Sequence, residues 1–193
     1  MKAILLNSGG ADTLAAIMKL KDQHGEMLEL HSIYINIGQE NHLRASKAAK
    51  LLALHYCSSH EEIVFPGNWT MPIDQGDLLL KPRNKTPLIG FICHVMGAMK
   101  ARQLNLGYIT GGFDTGAVTE QFCDKFVELQ EQFKMTQYTI TPIHPVIGMS
   151  VTERLEYIKD NPLANKTVSC HLEVACGRCP KCFPRINLGI AIN

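Results

Sequence analysis

Four apolar residues, 3–6, open the chain, and they give way at Asn7 to a polar, glycine-containing stretch before apolar positions return at helical spacing. A short apolar run with such an ending reads as a strand over residues 3–7, followed by a helix over residues 13–21. The same alternation continues downstream. Residues 30–35 form a β-branched strand pattern, and residues 41–54 an alanine-rich amphipathic helix. Residues 62–65 read as a third strand, 88–103 as a buried helix and 106–110 as a strand running into Gly111 and Gly112. Residues 121–133 read as another helix, and residues 138–141 as a last strand that stops before Pro142 and Pro145. This order predicts an α/β fold, a doubly wound parallel sheet with helices on both faces and a ligand crevice at the carboxyl ends of its strands. Residues 8–13, 38–42 and 111–116 fall at such ends. The stretch 66–87 is the one long loop, and loops of that length inside a compact domain usually carry function.

The first of these strand ends is the most specific. Ser8-Gly9-Gly10-Ala11-Asp12-Thr13 places two glycines where a strand becomes a helix. Glycines let the backbone turn tightly, and the N–H groups and positive dipole end of the helix then favour an anion. The lysine and the spacing of the GxxxxGK[ST] nucleotide loop are absent. The plainer alternative is a strand-to-helix turn in which Ser8 or Asp12 caps the helix. The stretch resembles the SGGxDS signature of the PP-loop ATP pyrophosphatases, which cleave ATP between the α- and β-phosphates.

Near the other end, Cys170, Cys176, Cys179 and Cys182 crowd into one short segment, three of them in the run CGRCPKC. Two-residue gaps let successive thiolates turn toward one centre, so the segment reads as a closed structural zinc site, with a [4Fe–4S] cluster as the rival and disulfides as the weaker alternative. The opening residues do not resemble a signal peptide, which points to a reducing cytoplasm. Cys57, Cys93 and Cys123 are dispersed through predicted elements and read as small core residues. The organisation expected is a nucleotide-binding α/β domain over residues 1–166 with a metal-binding segment, 167–193, packed on it.

Composition narrows the classes of partner. The 193 residues are 46% hydrophobic and 19% charged, enough for one core. No apolar run approaches the roughly 20 residues of a membrane span. Nineteen Lys and Arg against eighteen acidic residues leave a net charge of +1, no footprint for nucleic acid, so a small-molecule substrate is the expectation.

The order of these pieces resembles the 7-cyano-7-deazaguanine synthase family of the PP-loop enzymes over nearly the whole chain. The family's SGGxDS loop is matched by residues 8–13, with threonine last. Its Y-G-Q-x-H element is matched in part by Gly38 and Gln39, with His42 nearby, and its P-x-R-N run by Pro82, Arg83 and Asn84. Its ending, T-x-S-C then C-G-x-C-x-x-C and an arginine, is matched by Thr167, Ser169, Cys170, Cys176, Gly177, Cys179, Cys182 and Arg185. Two departures stand out. The family's D-x-S-G-Y-P-D-C-R run is reduced here to Asp114 and Gly116, and a lysine that precedes a glutamate is replaced near Glu153 by Val151 or Thr152.

The resemblance implies an adenine nucleotide alpha hydrolase-like fold and a reaction that converts 7-carboxy-7-deazaguanine, ammonia and ATP to the nitrile through two adenylations. It implies ATP with Mg²⁺ and a structural Zn²⁺. Ser8, Gly9, Gly10 and Thr13 would cradle pyrophosphate, and Asp12 would hold Mg²⁺ or cap the helix. Arg83 would pair with a carboxylate or phosphate, Asn84 with a polar edge and Asp114 with the purine-like ring. His42 and His171 read as structural. The expected partners are the small substrates, with no membrane or nucleic acid, and the reading admits a homodimer. The rivals are an amide-forming paralogue, a PP-loop enzyme acting on tRNA, and a zinc-stapled nucleotide-binding module without activity.

Overall fold

The computed structural model describes residues 1–64, 86–112, 120–133 and 138–192. Five strands pair in one sheet of order β3-β2-β1-β4-β5: β1 (Lys2–Leu6), β2 (Glu29–Asn36), β3 (Ser59–Val64), β4 (Tyr108–Gly111) and β5 (Thr141–Ile143). All four pairings are parallel. The expected doubly wound sheet is therefore present, with the reversal of strand order between β1 and β4.

Alternation along β1 builds both layers. Ala3 and Leu5 join the core formed with α1 (Ala11–His24), α2 (His42–Tyr56) and α5 (Val151–Ile158), where Leu14, Ile17, Leu52 and Leu155 are buried. Ile4 and Leu6 face the opposite core with Ala98 and Ala101 of α3 (Thr86–Gln103) and Phe126 of α4 (Glu120–Phe133). A strand buried on both faces needs apolar residues at every position, which is why it reads as a continuous run.

The last strand, the start of the first helix and one further helix differ from expectation. The last strand runs over Thr141–Ile143, not residues 138–141, and contains Pro142. Gln130 causes the shift: its side-chain amide donates to the Ile140 carbonyl (2.8 Å) and accepts from the Ile140 N–H (3.1 Å), taking both backbone groups a strand would pair. Pro142 is tolerated because β5 is an edge strand with one neighbour. The first helix begins at Ala11 with Gly10 as its N-cap and no side-chain cap, so neither Ser8 nor Asp12 has the capping role. Helix α5, which the sequence reading left out, starts with a capping box in which Ser150 Oγ accepts from the Glu153 N–H and Glu153 accepts from the Ser150 N–H. A last short helix, α6 (Phe183–Asn187), follows the final cysteine.

No helix among the described residues is long and apolar enough to cross a membrane.

Two glycines set how closely the elements approach. A Cβ at Gly112 would lie 2.0 Å from the Asp12 carbonyl carbon and 2.1 Å from the Thr13 nitrogen, so the chain leaving β4 runs against the first turn of α1. Gly9 has φ +70° and a Cβ there would lie 2.5 Å from the Ala45 oxygen of α2. Gly112→Ala is expected to destabilise the fold by about 3 kcal/mol or more, because backbone rather than a flexible side chain must move. Chemical denaturation showing an unchanged midpoint would refute this packing.

Candidate functional site

The loop after β1 is held from below and from the side. Asn7, buried, accepts the Gly9 N–H at Oδ1 (3.0 Å), and its Nδ2 donates to Ser32 Oγ (3.0 Å) and the Ala49 carbonyl (2.9 Å). Above it, the Val168 N–H donates to the Gly9 carbonyl (2.9 Å). Ser8 Oγ and Thr13 Oγ1 lie 3.1 Å apart, so the two hydroxyls of the motif meet across the turn. The first turn of α1 has no side-chain cap, and N–H groups at a helix start favour an anion.

Asp12 sits in that first turn, and it carries two cations. Arg154 Nη1 lies 3.1 Å from Asp12 Oδ1, and Lys181 Nζ lies 3.4 Å from Oδ2. Arg154 is 2% exposed, and its Nε donates to the Ser150 carbonyl while Nη1, although within ion-pair distance, has no aligned hydrogen-bond acceptor. A buried guanidinium nitrogen whose hydrogens point away from its counter-ion has capacity left for a further anion. The sequence reading found no cation near Val151 and Thr152. The structure supplies one from the next turn of the same helix, Arg154, and a second from inside the CGRCPKC run, Lys181. Helical spacing could have indicated the first: with Glu153 turned back to cap the helix, Arg154 falls beside the buried Leu155 and Ile158.

The four cysteines expected to bind metal come together. Their sulfur atoms all lie within 4.8 Å of one another, with Cys170 and Cys176 at 3.7 Å and Cys176 and Cys182 at 4.0 Å. Four sulfurs about 2.3 Å from one tetrahedral ion stand about 3.8 Å apart, so the set fits a single ion. A four-iron cluster interposes a cube of iron and sulfide between its thiolates and holds them further apart. Burial pushes the Cys176 thiol up, but N–H groups of Arg178 and Cys179 outweigh it and bring it to about 6, whereas burial holds Cys182 up at about 12. Burial also pushes Cys57 and Cys93 to about 12 and Cys123 to about 11, so these three stay protonated at neutral pH, as core thiols do.

The cysteine segment is stitched to the α/β body beside the loop. Asn41 Nδ2 donates to the Cys170 carbonyl (2.8 Å) and Arg44 to the carbonyls of Leu172 and Glu173. Arg185, 1% exposed, donates to Thr167 Oγ1 (2.7 Å), Ser169 Oγ (3.2 Å) and the Ala164 carbonyl (3.0 Å). Burial lowers its guanidinium to about 10, countered by Cys182 and Asp12, so it stays charged at neutral pH.

Other expected residues are placed differently or lie elsewhere. Gln39 turns into its own loop, accepting the Ile37 N–H and donating to Tyr34 Oη (2.6 Å), and His42 Nδ1 meets the Gln39 carbonyl; both are used structurally. Arg83, Asn84 and Asp114 lie outside the described residues.

No family model matches the chain, and no curated protein matches it. Among solved structures, the chain is similar to the U34-tRNA thiolase NcsA from Methanococcus maripaludis, determined with its [4Fe-4S] cluster, at TM-score 0.58 and 16% identity over 97% of this chain and 64% of that one. It is also similar to a 4-thiouridine synthetase in complex with RNA and bound ATP, at TM-score 0.50 and 18% identity over 86% of this chain and 42% of that one. The chain thus spans less than two thirds of the length of either. At these identities the likeness establishes the fold alone, a five-strand parallel sheet flanked by helices.

Cys179→Ala is expected to lower bound metal and thermal stability together, since a metal-poor segment of few apolar residues loses its main ordering force. Elemental analysis and thermal unfolding of both proteins, with and without chelator, test this; a fully stable, metal-free protein with four free thiols overturns it.

Proposed function

We propose that the chain is an ATP-consuming PP-loop enzyme that transfers AMP to an oxygen of a nucleobase-like substrate, releasing pyrophosphate. The observation that carries this reading is the meeting at the first turn of α1 of the Gly9-Gly10 backbone, the Ser8 and Thr13 hydroxyls, and two cations held on Asp12. Backbone N–H groups and fixed cations aimed at one spot stabilise charge that develops on a leaving pyrophosphate, the largest contribution a protein makes to such transfers. Mg²⁺, when bound, supplies further charge neutralisation, and the Asp12 carboxylate is the hard oxygen ligand of the loop. Arg154 is fixed by burial. Lys181 is more exposed and is paired with Asp12 at a longer distance.

The substrate we assign is 7-carboxy-7-deazaguanine, on the motif order of the sequence. Its carboxylate oxygen attacks the α-phosphorus, a P–O bond forms and the bridge to the β-phosphate breaks. Ammonia then attacks the acyl carbon; the C–O bond to AMP breaks and a proton leaves, giving the amide. Adenylation of the amide oxygen releases a second pyrophosphate, and departure of AMP together with both remaining N–H protons gives the nitrile. Arg83, Asn84 and Asp114 are the residues proposed to hold this substrate, and zinc the ion proposed for the four cysteines.

A second reading, modification of a base in tRNA, is favoured by the two structural neighbours, one named a tRNA thiolase and the other bound to RNA. The sulfur spacing, which suits one ion, and the net charge of +1 support the small-molecule reading over it.

Incubation with ATP, Mg²⁺, ammonium and either 7-carboxy-7-deazaguanine or tRNA, followed by mass spectrometry, separates these readings. The expected result is AMP, pyrophosphate and an amide or nitrile base, dependent on the free base. Asp12→Asn and Arg154→Met are each expected to lower turnover by about 10²–10³ without unfolding the protein. Turnover at the parental rate in either variant removes that residue from the site; AMP formation with tRNA alone removes the substrate assignment.

A further inference from the structure

The loop after β1 rests on a chain of hydrogen bonds that runs from Gly9, beside α2, to the edge strand β3. Asn7, buried immediately after β1, accepts the Gly9 N–H at Oδ1 (3.0 Å), and its Nδ2 donates to the Ala49 carbonyl of α2 (2.9 Å) and to Ser32 Oγ of β2 (3.0 Å). Ser32 is 1% exposed, and its Oγ lies 2.9 Å from Nδ1 of His60, which stands opposite it in the register of β2 and β3. His60 is half-buried on a strand with one neighbour in the sheet, so its ring is within reach of solvent protons.

The direction of each bond is fixed by groups that act in one way only. A backbone N–H only donates and a carbonyl only accepts, so Gly9 and Ala49 together set the orientation of the Asn7 amide. With both hydrogens of Nδ2 committed, Ser32 Oγ is the acceptor in its contact with Asn7. The Ser32 hydroxyl hydrogen is then left for His60, the other partner of Oγ among the described residues, and His60 Nδ1 accepts it. The neutral ring accordingly carries its proton on Nε2.

A second proton on His60 goes to Nδ1 and turns that acceptor into a donor. Ser32 Oγ then faces donors from both sides, with its own hydrogen buried and without an acceptor. An unmet buried hydroxyl is costly, and release of the Asn7 amide relieves it at the expense of the acceptor that holds the Gly9 N–H. Gly9 has φ +70°, so this contact, and not a regular helix or strand, aims its N–H.

The charges that face the His60 ring are Glu62, on the same side of β3, and Lys50 of α2, while burial keeps the Tyr34 hydroxyl of β2 un-ionised. Burial lowers the His60 imidazole below its ordinary 6.5, with Glu62 opposing and Lys50 adding. The chain is therefore whole at pH above the ordinary value and breaks as pH falls through the lowered one.

We propose that His60 is a positioning residue of the anion-binding loop, acting through Ser32 and Asn7 on the Gly9 N–H, and that it makes the affinity of the loop for a polyphosphate fall on acidification. This deepens the proposed function, on whose assignment of ATP to the loop it rests. None of the three side chains belongs to a motif read from the sequence; the adjacency of β1, β2 and β3 brings them into line.

The test is ¹H–¹⁵N spectroscopy of the full chain from about pH 8 to about 5.5, with ATP titrations by calorimetry at both ends. His60→Asn keeps an acceptor near the position of Nδ1 and does not titrate, so it is the reference that cancels proton uptake by ATP and by other groups; His60→Phe has no acceptor. The expected result in the free protein is a ring protonated on Nε2 at about pH 8 and a Gly9 amide resonance that moves in step with the His60 titration, a movement lost in His60→Asn. Relative to His60→Asn, the ATP affinity of the parental protein falls about tenfold at the acid end, and His60→Phe is about tenfold weaker already at the alkaline end. A ring protonated on Nδ1, a Gly9 amide indifferent to His60, or an affinity that stays level or rises on acidification relative to His60→Asn, as attraction to a positive ring would cause, overturns the proposal. A Gly9 amide that follows His60 in a protein without affinity for ATP instead overturns the function proposed above and leaves the positioning of the loop standing.

Discussion

The carboxylate of Asp12 is the point on which the rest of the site depends. It receives Arg154 from α5 and Lys181 from the cysteine segment, and it stands in the first turn of the helix that follows β1. A guanidinium as buried as that of Arg154 costs several kcal/mol of desolvation unless a counter-charge meets it. Placing that counter-charge in the loop ties the packing of α5 on α1 to the conformation of the loop itself. Removing the Asp12 carboxylate would leave the Arg154 charge buried and without its counter-ion.

Around this point the backbone approaches more closely than side chains permit. Gly112 brings the end of β4 onto the Asp12–Thr13 peptide, and Gly9 lets the loop rest on α2. Asn7 and Val168 then hold the loop from opposite sides with hydrogen bonds to its Gly9 N–H and carbonyl. The loop is thereby held in shape by the protein's own hydrogen bonds.

The cysteine segment has little apolar surface to bury, and polar links replace it. Arg185 spans Thr167, Ser169 and Ala164 from beneath, while Asn41 and Arg44 at the start of α2 take the carbonyls of Cys170, Leu172 and Glu173. The cysteine segment and the loop are joined through Lys181, which meets Asp12, and through Val168, which meets Gly9. Where β4 and β5 end, His94 of α3 meets His144, their Nε2 atoms 2.7 Å apart, and His144 Nδ1 lies 3.3 Å from the Gly111 carbonyl oxygen.

The sequence by itself determined what depends on neighbours along the chain: strands from continuous apolar runs, helices from their periodicity, the glycine turn after β1, and a four-thiol set from two-residue gaps. These signals survive because periodicity and spacing are properties of a few consecutive residues. Tertiary structure decided what depends on groups brought from afar. Gln130 of α4 displaced the start of β5 by capturing Ile140, and Asn41 and Arg44 took carbonyls of the distant cysteine segment. The partners of Asp12 and the meeting of His94 with His144 join residues far apart in the chain. Their charges and ring nitrogens acquire a role only when the layers close and remove the water that would otherwise satisfy them.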